Sequence, residues 1–578
     1  MPSRQTILIA STLVATAALQ ATLEILSVRE ESQTWDEGIE IASGYSYLKT
    51  GEYRIAPEHP PLARIIAAIP LLPLNLRVPV DDPSWSNGDA QEFGFQFVYH
   101  NLAAPDRILF AARLPFILIT ALFEVGLAAW TWRAFSPWAA LGAVAFFAFD
   151  PNVAAHARYA KHDVLLAAFC FLCVALWGTY LKSGKRRWLL AAGMAFGLAL
   201  ATKFSALFLV LVLPVTWILT RWQQRRPLAP LRCVVAMSAV LTISAAMLLI
   251  VYLPATGKLI PATRSYRIAH PEARRVGDVL SVLSSQAKSL MRIGTQLGLQ
   301  DHPLLTGFTV FLDHASYGHQ EYLLGRVSQS GWWYYFPVAF LVKTPVATLA
   351  AILIAVCLAI WRLMSSPPGW LRSQKIPWLL LAAPIVVYVP LCIANRVNVG
   401  ERHLLPAYPF AFVLTAAVLT RDRWKARVPV LVTLAAVLIG ESAAVYPHYL
   451  TFFNFAAGGP AAGPRYLLDS NIDWGQDFKR LARYVESNRI PRVCLFYFGN
   501  VDPSAYGMDD AHGVQILDVP ATRDIAARSS SDCIIAISAT PLFGLYVEPG
   551  QFDWLHQRNP DTTIGHSIYI YDLRKKSK

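Results

Sequence analysis

Long runs of apolar residues, separated by short polar connectors, dominate the first 446 residues of the chain. A run of about 20 apolar residues is long enough to cross a lipid bilayer as a helix. The pattern therefore predicts a polytopic α-helical membrane protein with about eleven transmembrane helices. The predicted spans are residues 6–28, 107–131, 138–149, 164–181, 188–202, 204–220, 233–253, 335–361, 377–394, 404–420 and 428–446.

Basic residues cluster in the connectors that follow the fourth, sixth, eighth and tenth predicted spans. The first of these connectors carries Lys182, Lys185, Arg186 and Arg187. Cytoplasmic connectors of membrane proteins are enriched in Lys and Arg, and all four connectors lie on that side if the N-terminus is cytoplasmic. We therefore expect a multi-pass protein of the cytoplasmic (inner) membrane, with loops 29–106 and 254–334 and the tail 447–578 outside.

The composition supports this assignment. Hydrophobic residues make up 55% of the chain and charged residues only 15%, whereas a soluble globular domain carries about 25% charged residues. The formal net charge of +13 is explained by the basic connectors, so it does not indicate a nucleic-acid partner. The sequence also lacks a Gly-rich phosphate loop, so a cytoplasmic nucleotide is not the expected substrate.

The tail differs from the rest of the chain. A helical segment from Phe478 to Glu486 precedes short apolar runs at 493–498, 514–519, 533–538 and 567–573. Such short runs between turn residues predict strands. We therefore predict two parts, a membrane domain (1–446) and a small extracytoplasmic α/β domain (447–578). Cys494 and Cys533 are either a disulfide, which an oxidising compartment permits, or two buried strand residues.

An acidic pair, Asp36 and Glu37, follows the first predicted span. Thr34 and Glu37 have the spacing of a capping box, which would start a helix. This box leaves Asp36 unexplained. A carboxylate held at the membrane surface can act as a general base toward a hydroxyl or an amine.

A second polar cluster lies in the outer turn between the third and fourth predicted spans. It contains Arg158, Lys161 and Asp163. The cations are suited to hold a phosphate and Asp163 to orient them, although a surface loop with cations reaching toward lipid headgroups would have the same composition.

Three further cations lie in or beside apolar spans: Arg113, Lys203 and Arg402. A charge inside a span usually faces a cavity. With the acidic pair, these residues predict an outer pocket for an anionic lipid headgroup.

Four segments in this order resemble the C-type glycosyltransferases of the protein O-mannosyltransferase and aminoarabinose transferase group. They are WDEG (35–38), EHPPLAR (58–64), the arginine-to-aspartate spacing of Arg158 and Asp163, and ERHLLPAYP (401–409). The stretch GRVSQSGWWYYFPVAFLVKTP (325–345) is similar to bacterial members. The resemblance covers nearly the whole membrane part.

The resemblance implies a sugar donor carried on a polyprenyl phosphate, Asp36 as the base, and outer-face cations that bind the donor phosphate. It carries the His-Pro-Pro-Leu turn over to His59 and adds Arg64, where the mannosyltransferase pattern has Gly-Lys in place of Ala63-Arg64. The expected reaction is a single displacement that inverts the anomeric carbon. Its expected catalytic residues are Asp36, Glu37 and Asp163. The expected phosphate ligands are Arg158, Lys203, Arg113, Arg402, His59 and Arg64.

No obligatory cofactor is expected; a divalent metal on Asp36 and Asp163, as in the related oligosaccharyltransferases, is a less favoured alternative. The acceptor is a protein, a lipid or a glycan, and a protein O-mannosyltransferase-like enzyme is the leading interpretation. A lipid A or lipid-glycan modifying transferase, a polyprenyl-lipid flippase and a non-catalytic scaffold are the alternatives. Transporters place charges near the bilayer midplane and often show two similar halves, whereas these charges lie at one face.

Overall fold

The computed structural model describes residues 4–256, 289, 303–365, 376–421, 427–517 and 533–572. Most of the predicted loop 254–334 and the end of the predicted strand 514–519 lie outside the described residues. The helices before the tail are α1 Arg4–Val28, α2 Glu37–Thr50, α3 Leu62–Ala68, α4 Pro83–Asn87, α5 Ala90–Tyr99, α6 Pro105–Ala134, α7 Pro137–Ala148, α8 Pro151–Ala157, α9 Asp163–Ser183, α10 Arg186–Thr202, α11 Leu209–Gln223, α12 Pro230–Thr256, α13 Pro303–Tyr317, α14 Tyr335–Lys343, α15 Val346–Ser365, α16 Ile376–Ala394, α17 Tyr408–Arg421 and α18 Arg427–Val445.

The helical membrane architecture is confirmed, but fewer helices than predicted have the length of a full span. In the part of the chain that the structure describes, eight helices are long and apolar enough to cross a membrane, or nine if the bent pair α7–α8 counts as one span. Each of the eleven predicted spans nevertheless coincides with helical structure. The difference arises because α10 has only 17 residues and α16 belongs with the shorter apolar helices.

One predicted span, 335–361, is interrupted. Helix α14 ends at Lys343 and α15 begins at Val346, with Thr344 in an extended conformation between them. Pro345 explains the break because the residue before a proline is disfavoured in the helical region. The side-chain amide of Asn454 donates to two backbone carbonyls at this break, those of Leu341 (2.7 Å) and Thr344 (2.8 Å).

The outer segment after α1 folds into helices α2–α5 against α6. Helices α2 and α3 pack so closely that a Cβ atom at Gly44 would clash with the backbone carbonyl of Arg64. A glycine is therefore needed at this crossing. The crossing fixes the Arg64 side chain beside α2.

The tail forms the predicted α/β unit. Its strands are β3 Arg492–Phe496, β4 Gln515–Leu517, β5 Ile534–Ser538, β6 Thr562–Ile564 and β7 Ile568–Asp572. They form a five-stranded sheet of order β4-β3-β5-β7-β6. Strands β4, β3 and β5 are parallel, and β7 pairs antiparallel with both β5 and β6. Cys494 of β3 and Cys533, just before β5, form a disulfide, which decides between the two alternatives. The helices of the tail are α19 Phe478–Ser487, α20 Ala539–Leu542 and α21 Asp553–His556. A separate hairpin before α14 pairs β1 Glu321–Leu323 with β2 Arg326–Ser328.

The tail is docked on the segment that follows α1. The Ser32 amide donates to the Gln476 carbonyl (3.0 Å), and the Trp35 amide donates to the Trp474 carbonyl (2.8 Å). The hydroxyl of Ser32 accepts from the amide of Phe478 at 3.0 Å. Residues 32–35 therefore lie along residues 474–478 of the tail, and the next residue is Asp36.

Candidate functional site

A cavity of about 1080 Å³ lies between the membrane helices and the tail. Its walls include the start of α2, the turn before α9, the segment just before α11, the end of α16, the segment before α17, and the segments that follow β3 and β5. Four of the nine predicted site residues, Asp36, His59, Lys203 and Arg402, line this cavity. The lining side chains with a charge or an imidazole ring are Asp36, Glu40, Glu58, His59, Lys161, His162, Lys203, His319, Arg402, His403 and Asp469.

Asp36 immediately precedes helix α2 and faces this cavity. The expected capping interaction is present in part, because Glu37 accepts from the amide (3.0 Å) and hydroxyl (3.1 Å) of Thr34. The helix itself begins at Glu37, and the Asp36 side chain makes no bond to its end. The Asp36 carboxylate is therefore available to the cavity.

Two cations hold the Asp36 carboxylate. Lys161 Nζ lies 2.6 Å and an Arg402 guanidinium nitrogen 3.6 Å from Asp36 Oδ2. Burial alone would raise the pKa of Asp36, but the charges of Lys161 and Arg402 outweigh it and lower the pKa below its ordinary value. Asp36 is therefore ionised at neutral pH, which is the state that a general base requires.

Asp163 extends this cluster into a row of alternating charges. Its Oδ1 lies 3.0 Å from Lys203 Nζ, and its Oδ2 lies 3.8 Å from Arg402. Arg402 thus bridges the two aspartates at distances longer than a direct hydrogen bond, and its guanidinium lies 4.4 Å from the centre of the Trp474 ring. Lys203 and Arg402, which both line the cavity, are the cations best placed to receive an additional anion.

His59 and His162 lie at the same wall, with ring centres 4.4 Å apart. Burial and the nearby Lys203 ammonium hold the pKa of each well below its ordinary value. Both imidazoles are therefore neutral. A neutral imidazole can contact a phosphate only through a ring N–H, so His59 contributes a hydrogen bond rather than charge.

The membrane-facing part of the cavity is apolar. Leu207 and Phe208, just before α11, face Tyr388, Leu391 and Cys392 of α16 across it. Leu207 and Leu391 are also exposed on the surface of the chain. The cavity therefore joins a charged wall to an apolar groove between two neighbouring membrane helices.

Glu37 and Arg113 were predicted as a catalytic residue and a phosphate ligand, but the structure pairs them with each other. Arg113 donates to both Glu37 oxygens (2.8 and 2.6 Å) and to the Ser32 carbonyl (2.7 Å). Glu37 also accepts from the Ala160 amide at 3.0 Å. Both side chains are buried and neither lines the cavity, so this pair joins three segments of the fold instead of contacting a substrate.

Arg158 and Arg64, also predicted as phosphate ligands, are likewise paired with carboxylates of the fold. Arg158 contacts Glu31 (2.9 Å) and the Pro447 carbonyl (3.1 Å), and Arg64 contacts Glu40 and Glu58, each at 2.8 Å. Both arginines are fully buried and lie outside the cavity lining. Carboxylates of the fold therefore occupy the positions beside these arginines that were predicted for the donor phosphate.

Lys161, predicted as one of the cations of the second polar cluster, and Glu40, which was not predicted, both belong to the site. Lys161 contacts Asp36 and, at 3.4 Å, Glu40. Glu40 had a signal in the sequence, because it lies four residues after Asp36 and therefore on the same face of α2. No such signal in the sequence pointed to Phe498 and Tyr546 of the tail, which also line the cavity.

The charges of the site do not suit a divalent metal. Asp36 and Asp163 are the carboxylates expected to bind one, yet Lys161, Lys203 and Arg402 already neutralise them. Within the described ranges, no group of three or more His, Cys, Asp or Glu side chains could hold a metal ion. The expectation that no metal is obligatory stays a prediction.

A family model described as "Dolichyl-phosphate-mannose-protein mannosyltransferase" matches residues 105–250, which run from α6 into α12. Among curated proteins, none matches the sequence.

Several solved structures are similar over large parts of the chain. ArnT from Cupriavidus metallidurans bound to undecaprenyl phosphate is 12% identical, with a TM-score of 0.44 over 98% of this chain and 99% of that one. The Pmt1-Pmt2 protein O-mannosyltransferase complex of S. cerevisiae, bound to the sugar donor, is 18% identical, with a TM-score of 0.32 over 44% of this chain and 34% of that one. The oligosaccharyltransferase AglB from Archaeoglobus fulgidus is 12% identical, with a TM-score of 0.43 over 89% and 60% of the two chains.

All of these TM-scores lie below 0.5, so the structural similarities carry no argument about function. The family match concerns the sequence of the helices that carry Arg113, Arg158, Lys161, Asp163 and Lys203. It confirms the predicted resemblance to the C-type glycosyltransferases over residues 105–250.

Proposed function

We propose that the protein transfers a sugar from a polyprenyl-phosphate donor to a hydroxyl or amine acceptor, with inversion of the anomeric carbon. One observation carries the proposal: an ionised Asp36 lies beside a cation-lined pocket that continues into an apolar groove. Transfer from a lipid-linked sugar phosphate needs a base beside the sugar, cations beside the phosphate and an apolar path for the lipid chain, in this order.

The donor phosphate would lie between Lys203 and Arg402. Each of these cations contacts Asp163 and faces the cavity, so the aspartate holds them in place before a substrate arrives. Prearranged cations stabilise the charge that develops on a leaving phosphate more effectively than water, which must reorient. The polyprenyl chain would follow the groove past Leu207 and Leu391.

The reaction is a single displacement. Asp36 removes the proton from the acceptor hydroxyl or amine, and the freed electron pair attacks the anomeric carbon. The bond from that carbon to the phosphate oxygen breaks, and the polyprenyl phosphate leaves with the electron pair. Lys161 keeps Asp36 ionised before the reaction and stays within 2.6 Å of it.

The compartment is part of the proposal. The basic connectors predict a cytoplasmic N-terminus, which places Asp36, the cavity and the tail 447–578 on the outer face of the inner membrane. The disulfide in the tail supports this orientation because disulfides persist in oxidising compartments. The division into a membrane domain (1–446) and an outer domain (447–578) follows the same topology.

A panel of radiolabelled polyprenyl-phosphate sugars, offered to the purified protein in detergent, tests the proposal. We expect one donor to be turned over, by transfer or by slow hydrolysis, and turnover to be lost in Asp36→Asn while the affinity for the donor is kept. Asp81→Asn is the matched control, because Asp81 is exposed and does not line the cavity.

Robust turnover by Asp36→Asn would remove Asp36 from the role of base. Saturable donor binding without any turnover, combined with movement of the lipid across vesicle membranes, would instead indicate a lipid transporter.

A further inference from the structure

Part of the cavity wall belongs to the tail, and the reaction proposed above gives it no role. The loops after β3 and β5 contribute Phe498, Pro541 and Tyr546 to this wall, and Gln551 lies beside them. The donor needs the charged wall and the membrane groove. The tail wall is therefore the part of the cavity that is left for the acceptor.

Three aromatic rings form a continuous strip along this wall. Trp35 and Phe498 are stacked with ring centres 4.9 Å apart, and Phe498 and Tyr546 are stacked at 5.6 Å. The strip begins at the residue next to Asp36 and ends at Tyr546, which is 37% exposed. Aromatic rings supply a large apolar contact surface at low conformational cost.

Polar groups accompany the outer end of the strip. The Tyr546 hydroxyl donates to Asp469 Oδ2 at 2.6 Å and lies 3.3 Å from His319 Nδ1. Asp469 has a φ of +56°, a conformation that is uncommon outside glycine and concentrates at functional sites. All three residues line the cavity, so a carboxylate, a phenol and an imidazole face a ligand here together with the aromatic strip.

The topology of the tail sheet independently marks the same place. Strand β3 lies between β4 on one side and β5 on the other, with all three parallel. In open α/β sheets, ligands bind outside the carboxyl ends of the strands where the order reverses, which is here between β3 and β5. Phe498 follows β3 and Pro541 follows β5, and both line the cavity.

The centre of this crevice is already occupied by a side chain of the chain itself. Asp473 accepts from the Thr540 amide at 3.0 Å and lies 3.5 Å from the Ser538 hydroxyl. A carboxylate therefore fills the position that an anionic ligand would take, and only the aromatic rim stays open to the cavity. The crevice can receive a neutral ligand at its rim but not a phosphate at its centre.

The chemistry of the wall distinguishes between classes of acceptor. A sugar ring has an apolar C–H face and hydroxyls. The C–H face can pack on the end of the aromatic stack at Tyr546, since Trp35 and Tyr546 cover the two faces of Phe498, and the hydroxyls can donate to carboxylates such as Asp469. An extended peptide binds best along an open strand edge, whereas this cavity is bordered by strand ends.

We propose that the aromatic strip and the Asp469–Tyr546–His319 cluster form the binding site for a carbohydrate acceptor. The strip directs a terminal hydroxyl of that glycan to Asp36. This deepens the function proposed above and rests on it for the transfer step. Carbohydrate binding at the strip needs no donor and can be measured alone.

Two assays on the purified full-length protein test this assignment. The first is direct binding to an array of neutral glycans without donor. The second is transfer from the active polyprenyl-phosphate sugar to a bound glycan, to a Ser/Thr-rich peptide or to a phosphorylated glycolipid of the lipid A type. We compare wild type with Phe498→Leu and Tyr546→Phe, and Phe455→Leu is the matched control because Phe455 is exposed and lies outside the cavity lining.

We expect the wild type to bind and glycosylate one class of glycan. Phe498→Leu and Tyr546→Phe should each weaken glycan binding and raise the KM for the glycan by about tenfold, the loss expected for one aromatic or hydrogen-bonding contact. The KM for the donor should change by less than about twofold, and Phe455→Leu should match the wild type.

Absence of glycan binding by the wild type would overturn the assignment, as would transfer only to the peptide or to the phosphorylated glycolipid. An unchanged KM for the glycan in both variants would overturn it too. Glycan binding that depends on Phe498, without turnover of any donor, would uphold the carbohydrate site and refute the proposed transferase reaction, so the two failures are distinguishable.

Discussion

At the scale of single residues, the partners of Asp36 determine the pH range in which it can act as a base. Lys161 and Arg402 lower its pKa below the ordinary value. A base is active when ionised, so activity should persist as the pH falls until it reaches that lowered pKa. We therefore expect kcat/KM to show no acid limb due to Asp36 between pH 8 and about pH 5.

Removing Lys161, the cation closest to Asp36, should move the acid limb of the pH–activity profile to higher pH. In Lys161→Gln the burial of Asp36 is opposed by Arg402 alone, so the pKa of Asp36 should rise and activity should be lost at a correspondingly higher pH. Lys161→Arg keeps the charge and is the control. Identical acid limbs in Lys161→Gln and wild type would show that Asp36 is not the titrating base.

The Glu37–Arg113 pair leads to a prediction about stability instead of substrate binding. Arg113→Met leaves the buried Glu37 carboxylate without its cation, which typically costs about 3–5 kcal/mol. The double variant Glu37→Gln/Arg113→Met should recover most of the loss. Thermal unfolding in detergent measures both. A stable Arg113→Met protein that no longer binds donor would restore the arginine as a phosphate ligand.

At the scale of elements, the disulfide joins the two strands that border the aromatic rim. Cys494 and Cys533 are 39 residues apart, and closing a loop of that size stabilises a fold by about 3–4 kcal/mol. We expect reductant to lower the unfolding temperature of the wild type to that of Cys494→Ser and to leave Cys494→Ser unchanged. A wild-type unfolding temperature that is insensitive to reductant would contradict this prediction.

The apolar pattern predicted the helices well because membrane spans are determined by local hydrophobicity. The break between Lys343 and Val346 has a signal in the sequence, Thr344-Pro345. The length of the apolar run alone does not reveal it. In the tail, the four predicted apolar runs each coincide with a strand, but β6 was missed. The order of the strands could not be obtained, because strand pairing depends on contacts between distant residues.

The residues of the site could be predicted only in part. Asp36, Asp163, Lys203 and Arg402 converge as the clustering of charges beside the spans predicted. The pairing of arginines was not predictable, because an arginine such as Arg158 looks the same in sequence whether it faces a ligand or a buried carboxylate. Only the fold brings Glu31 to Arg158.

At the scale of the whole molecule, the orientation proposed from the basic connectors can be tested directly. Alkaline phosphatase folds only where disulfides form, so its fusion reports the outer face. We expect an active reporter when it is fused after residue 578 and an inactive one after Arg225, in the connector that follows α11. The reverse pattern would place the cavity on the cytoplasmic side and exclude the proposed compartment.

The contacts of the tail also predict that it cannot be removed. The amides of Ser32 and Trp35 are bonded to residues 474–476, Arg402 packs on Trp474, and Arg158 donates to Pro447. A chain that ends at residue 446 loses all of these contacts, so the segment that carries Asp36 is no longer fixed and the cation wall loses its support. We expect this truncated protein to bind the polyprenyl-phosphate donor at least about tenfold more weakly than the full chain, measured in the same detergent on monodisperse protein. An affinity equal to that of the full chain would show that the tail serves the acceptor alone.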